Sequence, residues 1–127
     1  MDLASPLDVA TQLVTAMNAQ DADSAIALFE PGASFVVRPG VVVKGTSAIR
    51  QALEGFMALK PSLIVEAQQV VQAGDVAQFC AKWNLKGIDP TGTAVQIGGR
   101  SSSILRRQSD GRWLFLVDNP WGTEIVA

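Results

Sequence analysis

Apolar residues in the first half of the chain recur with the period of a helix. The first stripe consists of Ala10, Leu13, Val14 and Met17, spaced i, i+3, i+4 and i+7. The Ser5 hydroxyl can accept a hydrogen bond from a free backbone amide at a helix start, and Pro6 suits the first helical position. A first helix is therefore expected to begin here.

Two further helices are expected before the pattern changes. The second is short, is capped by Asp23 or Ser24, and carries apolar residues through Phe29. The third begins at Thr46 or Ser47 and has one apolar face.

Beyond residue 62 the apolar period is two, which is typical of strands. The predicted strands are 33–37, 41–44, 63–73, 76–86, 93–108 and 112–119. Gly98 and Gly99 suggest a bulge in the fifth of them. Helices followed by a meander of long strands predict an α+β fold, with the helices on one side of a bent antiparallel sheet.

The composition of the chain limits the kinds of metal, disulfide and cofactor site that it can form. The 127 residues are 48% hydrophobic and 17% charged, with no evident linker or repeat, so one domain over residues 1–127 is expected. The absence of His excludes a histidine-ligated metal site, and a single Cys excludes an internal disulfide or a thiolate zinc cluster. No glycine-rich phosphate loop is present, so neither a metal nor another cofactor is expected.

The charge balance argues against nucleic acid as a partner. Ten basic side chains stand against twelve acidic ones, too few for extensive phosphate contacts. The arginines at 100, 106, 107 and 112 are interpreted as a solvated strand and turn. Apolar stretches such as 113–117 are too short to cross a membrane, and the N-terminal segment does not look like a secretory signal. We therefore expect a cytoplasmic protein.

Several short segments carry a resemblance to a known family. They are residues 19–29, 32–35, 44–50, 74–77, 105–113 and 118–122. In order and spacing they resemble the nuclear transport factor 2-like superfamily, and especially its SnoaL-like branch of uncharacterised bacterial proteins. The resemblance implies a cystatin-like α+β roll: a cone-shaped sheet wrapped around three helices, with a pocket at the open end and commonly a homodimer. Since members include isomerases, cyclases, dehydratases, hydrolases and plain binding or assembly domains, it implies no single activity.

The ketosteroid isomerase members provide a test of catalytic residues. Their carboxylate base corresponds here to Val37 or Arg38, and their first-helix Tyr falls near Leu13. Their oxyanion-hole Asp falls near Ser103, whose hydroxyl can still donate a hydrogen bond. All three positions are changed, so steroid isomerase chemistry is not expected.

The last strand holds the candidate catalytic residue, Asp118. The family register turns Leu114, Leu116 and Asp118 towards the pocket and packs the alternate residues, such as Phe115, the other way. A carboxyl on an apolar strand can donate or accept a proton. The alternative, which we favour on sequence alone, is that Asp118 ends its strand and bonds local backbone amides.

The strand over 76–86 has one apolar and one polar face. Its apolar face carries Ala77, Phe79, Ala81, Trp83 and Leu85, and its polar face Gln78, Cys80, Lys82, Asn84 and Lys86. In one interpretation the apolar face meets the helices and the polar face meets water. In the other, slightly favoured by the resemblance, Lys82 reaches the pocket near Asp118 and Trp83 anchors a sheet-to-sheet homodimer.

Two further residues are candidates for ligand contact. Arg38 either holds a carboxylate or enolate at the mouth of the cone or is an exposed turn residue. Trp121 either covers the pocket or, as we favour, folds back on the hydrophobic edge. The candidate ligand-binding residues are thus Arg38, Lys82, Ser103, Asn119 and Trp121.

These observations predict a pocket for a small, mostly apolar organic molecule with one polar or anionic group. They leave open whether the bound molecule also undergoes acid–base chemistry of the isomerase, cyclase or hydrolase type. The alternative is a non-catalytic homodimeric accessory or assembly domain whose cone is filled by its own side chains. A cavity of about 300 Å³ or more would favour the pocket.

Overall fold

Three helices and six strands make up the fold of the computed structural model, which describes residues 3–126. The helices are α1 (Pro6–Asn18), α2 (Ala22–Ile26) and α3 (Thr46–Met57). The strands are β1 (Phe29–Arg38), β2 (Val41–Lys44), β3 (Ser62–Ala73), β4 (Val76–Ile88), β5 (Ala94–Arg107) and β6 (Trp113–Asp118), and a 3-10 helix covers Gly122–Ile125. Residues 1, 2 and 127 of the expected domain lie outside the described residues.

The strands form one curved sheet in the order β2-β1-β6-β5-β4-β3. The sheet wraps around α1 and α3, so the fold is the α+β cone that the sequence predicts. One detail of the prediction is wrong, because β1 and β6 pair in parallel and the sheet is mixed. The chain leaves β2 through α3, joins the sheet at the β3 edge and meanders back, so that β6 runs alongside β1 in the same direction.

The N-terminal elements confirm one predicted cap and correct another. The Ser5 hydroxyl accepts a hydrogen bond from the Asp8 amide at 3.1 Å and begins α1 as expected. Asp21, rather than Asp23 or Ser24, caps α2, since its Oδ1 accepts from the Ser24 amide at 3.1 Å.

The second predicted helix is also too long. It ends at Ile26, and β1 begins at Phe29. Between Phe29 and Ser34 the pairing of β1 with β6 is irregular. A proline and a glycine within a strand are tolerated in such a section, because it makes few ladder hydrogen bonds.

The predicted bulge lies in a different strand. Pairing between β4 and β5 is continuous through Gly98 and Gly99. Between β5 and β6, however, Ile104 pairs with Val117 and Leu105 with Phe115, so Leu116 is an extra residue. This bulge resets which side chains of β6 point inwards.

Three of the four arginines noted in the sequence form ion pairs at one end of the sheet. Arg106 binds the buried Glu30 carboxylate through two hydrogen bonds of 2.9 and 2.5 Å. Arg107 pairs with Asp75 and Arg112 with Asp110. The interpretation of these arginines as part of a solvated strand and turn therefore agrees with the structure.

Candidate functional site

The apolar face of β4 points into the cone. Phe79, Ala81 and Trp83 are all buried there, at 7–9% exposure. Lys82 lies on the opposite, outer face, where its amino group is 3.4 Å from a carboxylate oxygen of Glu66. The prediction that Lys82 reaches the pocket and that Trp83 faces a partner is therefore wrong. Burying five apolar side chains against the helices outweighs any gain from turning the polar face inwards.

A cavity of about 120 Å³ lies between the helices and the inner face of the sheet. Apolar side chains of α1 and α3 form one side of it, and those of β3, β4 and β6 the other. The polar lining comes from Ser101, Ser103 and Asp118. The cavity is smaller than the volume of about 300 Å³ that would favour a ligand-binding pocket, yet the cone is not solid.

Asp118 lies on the cavity wall and is 7% exposed. The bulge at Leu116 places both Phe115 and Asp118 on the inside, although they are three residues apart. The expectation that Leu114 and Leu116 face the pocket is therefore wrong, whereas the one for Asp118 is right. A bulge of this kind leaves no clear mark on an apolar strand sequence.

The hydrogen bonds around Asp118 leave much of its carboxylate free. The Ser103 hydroxyl donates to Oδ1 at 3.0 Å and accepts from the Asn119 amide at 3.0 Å. The amide next to Asp118 thus binds Ser103, not the carboxylate itself. Within residues 3–126 no Lys or Arg forms an ion pair with Asp118.

The surroundings of Asp118 change its acidity. Burial raises the pKa of its carboxyl from the ordinary 3.8 to about 6, because the apolar wall disfavours the charged form. The hydrogen bond from Ser103 acts in the opposite direction and is the smaller effect. At neutral pH the group is mainly an anion with an accessible protonated form.

Asn119 has a structural role. Its Oδ1 accepts from the amides of Trp121 and Gly122, and its Nδ2 donates to the Gly122 carbonyl at 3.1 Å. These bonds hold the turn that follows β6. The side chain does not line the cavity, so its predicted ligand contact has no support here.

Trp121 lies at the mouth of the cavity. Its Nε1 donates to the Val37 carbonyl at 3.0 Å, and its ring meets that of Trp83 edge-on at 5.3 Å. Trp83 in turn donates to the Pro120 carbonyl at 2.7 Å. Trp121 therefore borders the pocket, the alternative that the sequence favoured less. The prediction from sequence does not place Trp83 in the cavity wall, although the apolar alternation along β4 indicates that side.

A second space, a groove of about 430 Å³, lies on the other side of Trp121. Its walls are Val37, Arg38, Ala52, Gly55, Phe56, Leu59 and Trp121. Arg38 is exposed at this groove, and it makes no ion pair within the described part of the chain. The structure thus brings Asp118, Ser103 and Trp121 together, places Arg38 in the groove that shares Trp121 with the cavity, and leaves Lys82 outside.

Comparison with known proteins agrees with this geometry. The sequence pattern of the SnoaL-like domain matches residues 10–115, most of the chain. The chain belongs to the SnoaL-like domain family. A search of curated proteins found no relative for this SnoaL-like domain.

Solved structures similar to this SnoaL-like domain share its fold at low sequence identity. An NTF2-like superfamily protein from Salmonella enterica has a TM-score of 0.81 and 19% identity, with 91% of this chain and 86% of that chain covered. An NTF2-like protein with a cystatin-like fold from Novosphingobium aromaticivorans has 0.73 and 16%, covering 87% and 75%. The association domain of CaMKII from C. elegans has 0.69 and 17%, covering 88% of each.

Two further features concern what this SnoaL-like domain can bind. Within residues 3–126, no three metal-ligating side chains of the His, Cys, Asp or Glu type come together. No helix in the same part of the chain is long and apolar enough to cross a membrane.

Proposed function

We propose that this SnoaL-like domain is a cytoplasmic, cofactor-free protein that binds a small, mostly apolar molecule in its cone and performs acid–base chemistry on it through Asp118. The observation that carries the proposal is a carboxyl buried on the wall of an apolar cavity, with which no Lys or Arg among residues 3–126 forms an ion pair. A pKa of about 6 lets this group both accept and donate a proton near neutral pH.

The chemistry that suits this arrangement is proton transfer on a bound ring-sized molecule. The Asp118 anion accepts a proton from the ligand, and the resulting acid returns it to another atom of the same ligand. Ser103 holds the carboxylate through its hydroxyl during both steps. The Asp118 carboxyl is 7% exposed, so its proton exchanges with solvent between the two steps.

Deuterium exchange next to the carbonyl of cyclohexanone, followed by proton NMR, tests this proposal. We expect the wild-type protein to accelerate exchange, with a rate that rises as the pH passes about 6, because the anion is the base. Asp118→Asn removes the base and Ala81→Leu fills the cavity, so both abolish the acceleration. Ala67→Leu adds the same bulk on the outer face, opposite Lys82, and retains it.

Exchange at the buffer rate with the wild-type protein contradicts the proposal. Undiminished exchange in Asp118→Asn contradicts the role of that residue.

A second candidate function is a homodimeric accessory or assembly domain without activity. It is favoured by the small cavity and by the fold shared with the association domain of CaMKII. The dimer interface proposed here is the outer face of β3, β4 and β5. That face includes the exposed side chains of Ile64 and Val71, each 54% exposed.

A further inference from the structure

The cavity and the groove share a wall. Phe56 and Trp121 line both spaces. Asp118 and Ser103 line only the inner one, and Arg38 only the outer one. A ligand that reaches past the Trp121 ring therefore meets a proton-transfer group at one end and a guanidinium at the other.

Arg38 differs from the arginines whose charge is neutralised within the fold. Arg50, Arg106, Arg107 and Arg112 all pair with carboxylates. Arg38 has no such partner among residues 3–126, and the rest of its groove is apolar. A guanidinium presents a planar fork of donors that fits a carboxylate with two parallel hydrogen bonds.

The strand register gives the separation between the backbones of Asp118 and Arg38. Phe35 of β1 pairs with Asp118 of β6, and Arg38 lies three residues further along β1. At the rise of a β-strand, the backbone at Arg38 is about 10 Å further along the sheet than the backbone at Asp118. The inner cavity of about 120 Å³ is slightly smaller than the apolar cavity of about 150 Å³ that accommodates benzene, so a single ring is a tight fit there.

We infer that the cavity and the groove are two compartments of one site, which takes arylalkanoic acids. The ring occupies the cavity with a hydroxyl that donates to the Asp118 carboxylate, and the carboxylate of the ligand binds Arg38. Trp121, held by its hydrogen bond to Val37, borders both compartments. The alkyl chain between the ring and the carboxylate of the ligand must pass beside it. This inference rests on the proposed function, because it requires that the cavity accept a ligand.

Isothermal titration with three probes tests the inference: para-hydroxyphenylpropanoate, its neutral primary amide, and para-cresol, which is the ring end alone. We expect the acid to bind the wild-type protein at least about tenfold more tightly than the amide. Arg38→Gln removes this difference and leaves the affinity for para-cresol unchanged, which also shows that the variant is folded. Arg100→Gln, which removes an exposed charge from the outer face, leaves all three affinities unchanged.

Equal affinities of acid and amide for the wild-type protein overturn the inference. An equal effect of Arg100→Gln and Arg38→Gln also overturns it, because the attraction is then a general one. In either case binding of para-cresol keeps the ligand-binding part of the proposed function. Failure of every probe to bind overturns both.

Discussion

Two buried carboxyl groups in this protein have opposite environments. Glu30 and Asp118 are 8% and 7% exposed. Arg106 and Gln108 donate hydrogen bonds to Glu30, and the bond from Arg106 is the main reason that its pKa is lowered. Among residues 3–126, only the Ser103 side chain donates a hydrogen bond to Asp118, and burial raises the pKa of Asp118 to about 6. The surroundings of Glu30 thus stabilise its charged form, whereas the burial of Asp118 disfavours its charged form.

The free-energy cost of burying the Asp118 charge predicts the effect of Asp118→Asn on stability. Below about pH 4 the carboxyl is protonated in both folded and unfolded chains, so burial carries no charge penalty. As the pH rises through about 6 the folded protein loses up to roughly 3 kcal/mol, from a shift of about two pKa units. The variant lacks the charge, so we expect it to be more stable than wild type above pH 6 and similar near pH 4, measured by urea unfolding.

Glu30→Gln is the control and has the opposite sign. Its carboxylate stabilises the folded state above its ordinary pKa and loses that contribution as the pH falls. Its replacement therefore destabilises the protein at neutral pH. A pH-independent loss of stability in Asp118→Asn would contradict the account of that residue.

At the scale of single residues, the sequence predicts part of the site. Asp118 and Ser103 lie on the cavity wall as the family register predicts, although the same register wrongly places Leu114 and Leu116 there. Lys82 could not be placed, since alternation shows that a strand has two faces but not which one is inside. Asn119 reads as a polar group near the pocket, but its bonds to the following turn are set by a backbone path that the sequence does not reveal.

At the scale of elements, the sequence predicts β2 to its exact ends and most other strands to within a few residues. The misplaced boundary is that between α2 and β1. Pro31 and Gly32 are strong signals for the end of a helix, yet here they lie within a strand. Tertiary pairing with β6 at Phe29 overrides the local preference.

Contact between β4 and the segment after α3 gives a prediction at this scale. The Leu59 carbonyl accepts a hydrogen bond from the Ile88 amide at 2.7 Å, and a side chain at Gly87 would lie 2.5 Å from the same oxygen. Gly87→Ala must push the end of α3 from the sheet. We expect a loss of roughly 1–3 kcal/mol in the free energy of unfolding, measured by chemical denaturation.

Gly32→Ala provides the matched control for this variant. Nothing lies within 4 Å of a side chain added at Gly32, and its backbone is not in the left-handed region. It should leave stability nearly unchanged. Equal stabilities of the two variants would show that the close approach at Gly87 imposes no constraint.

At the scale of the whole molecule, the cone is predictable because helix and strand periods follow one another in the order that the family requires. The parallel pairing of β1 with β6 was not predicted, since it depends on where the chain rejoins the sheet after α3. The position of Trp83 inside the cone also moves the expected dimer contact to the other side of β4.

The outer face predicts the effect of a charge on assembly. Val71 is exposed on β3, and Val42 is exposed on β2 at the opposite edge of the sheet. We expect the wild-type protein to sediment as a dimer, Val71→Glu as a monomer because a charge is buried without a partner, and Val42→Glu as a dimer. A monomeric wild type at micromolar concentration, or a dimeric Val71→Glu, would exclude this interface.

The edge-on pair of indoles at the mouth of the cone has a practical consequence. Trp83 and Trp121 are two of the three tryptophans, and both line the cavity, whereas Trp113 is buried beneath Arg107. Any molecule that enters changes the surroundings of most of the fluorophores in the chain. The unlabelled protein is therefore its own optical reporter, and compound libraries can be screened by intrinsic emission alone.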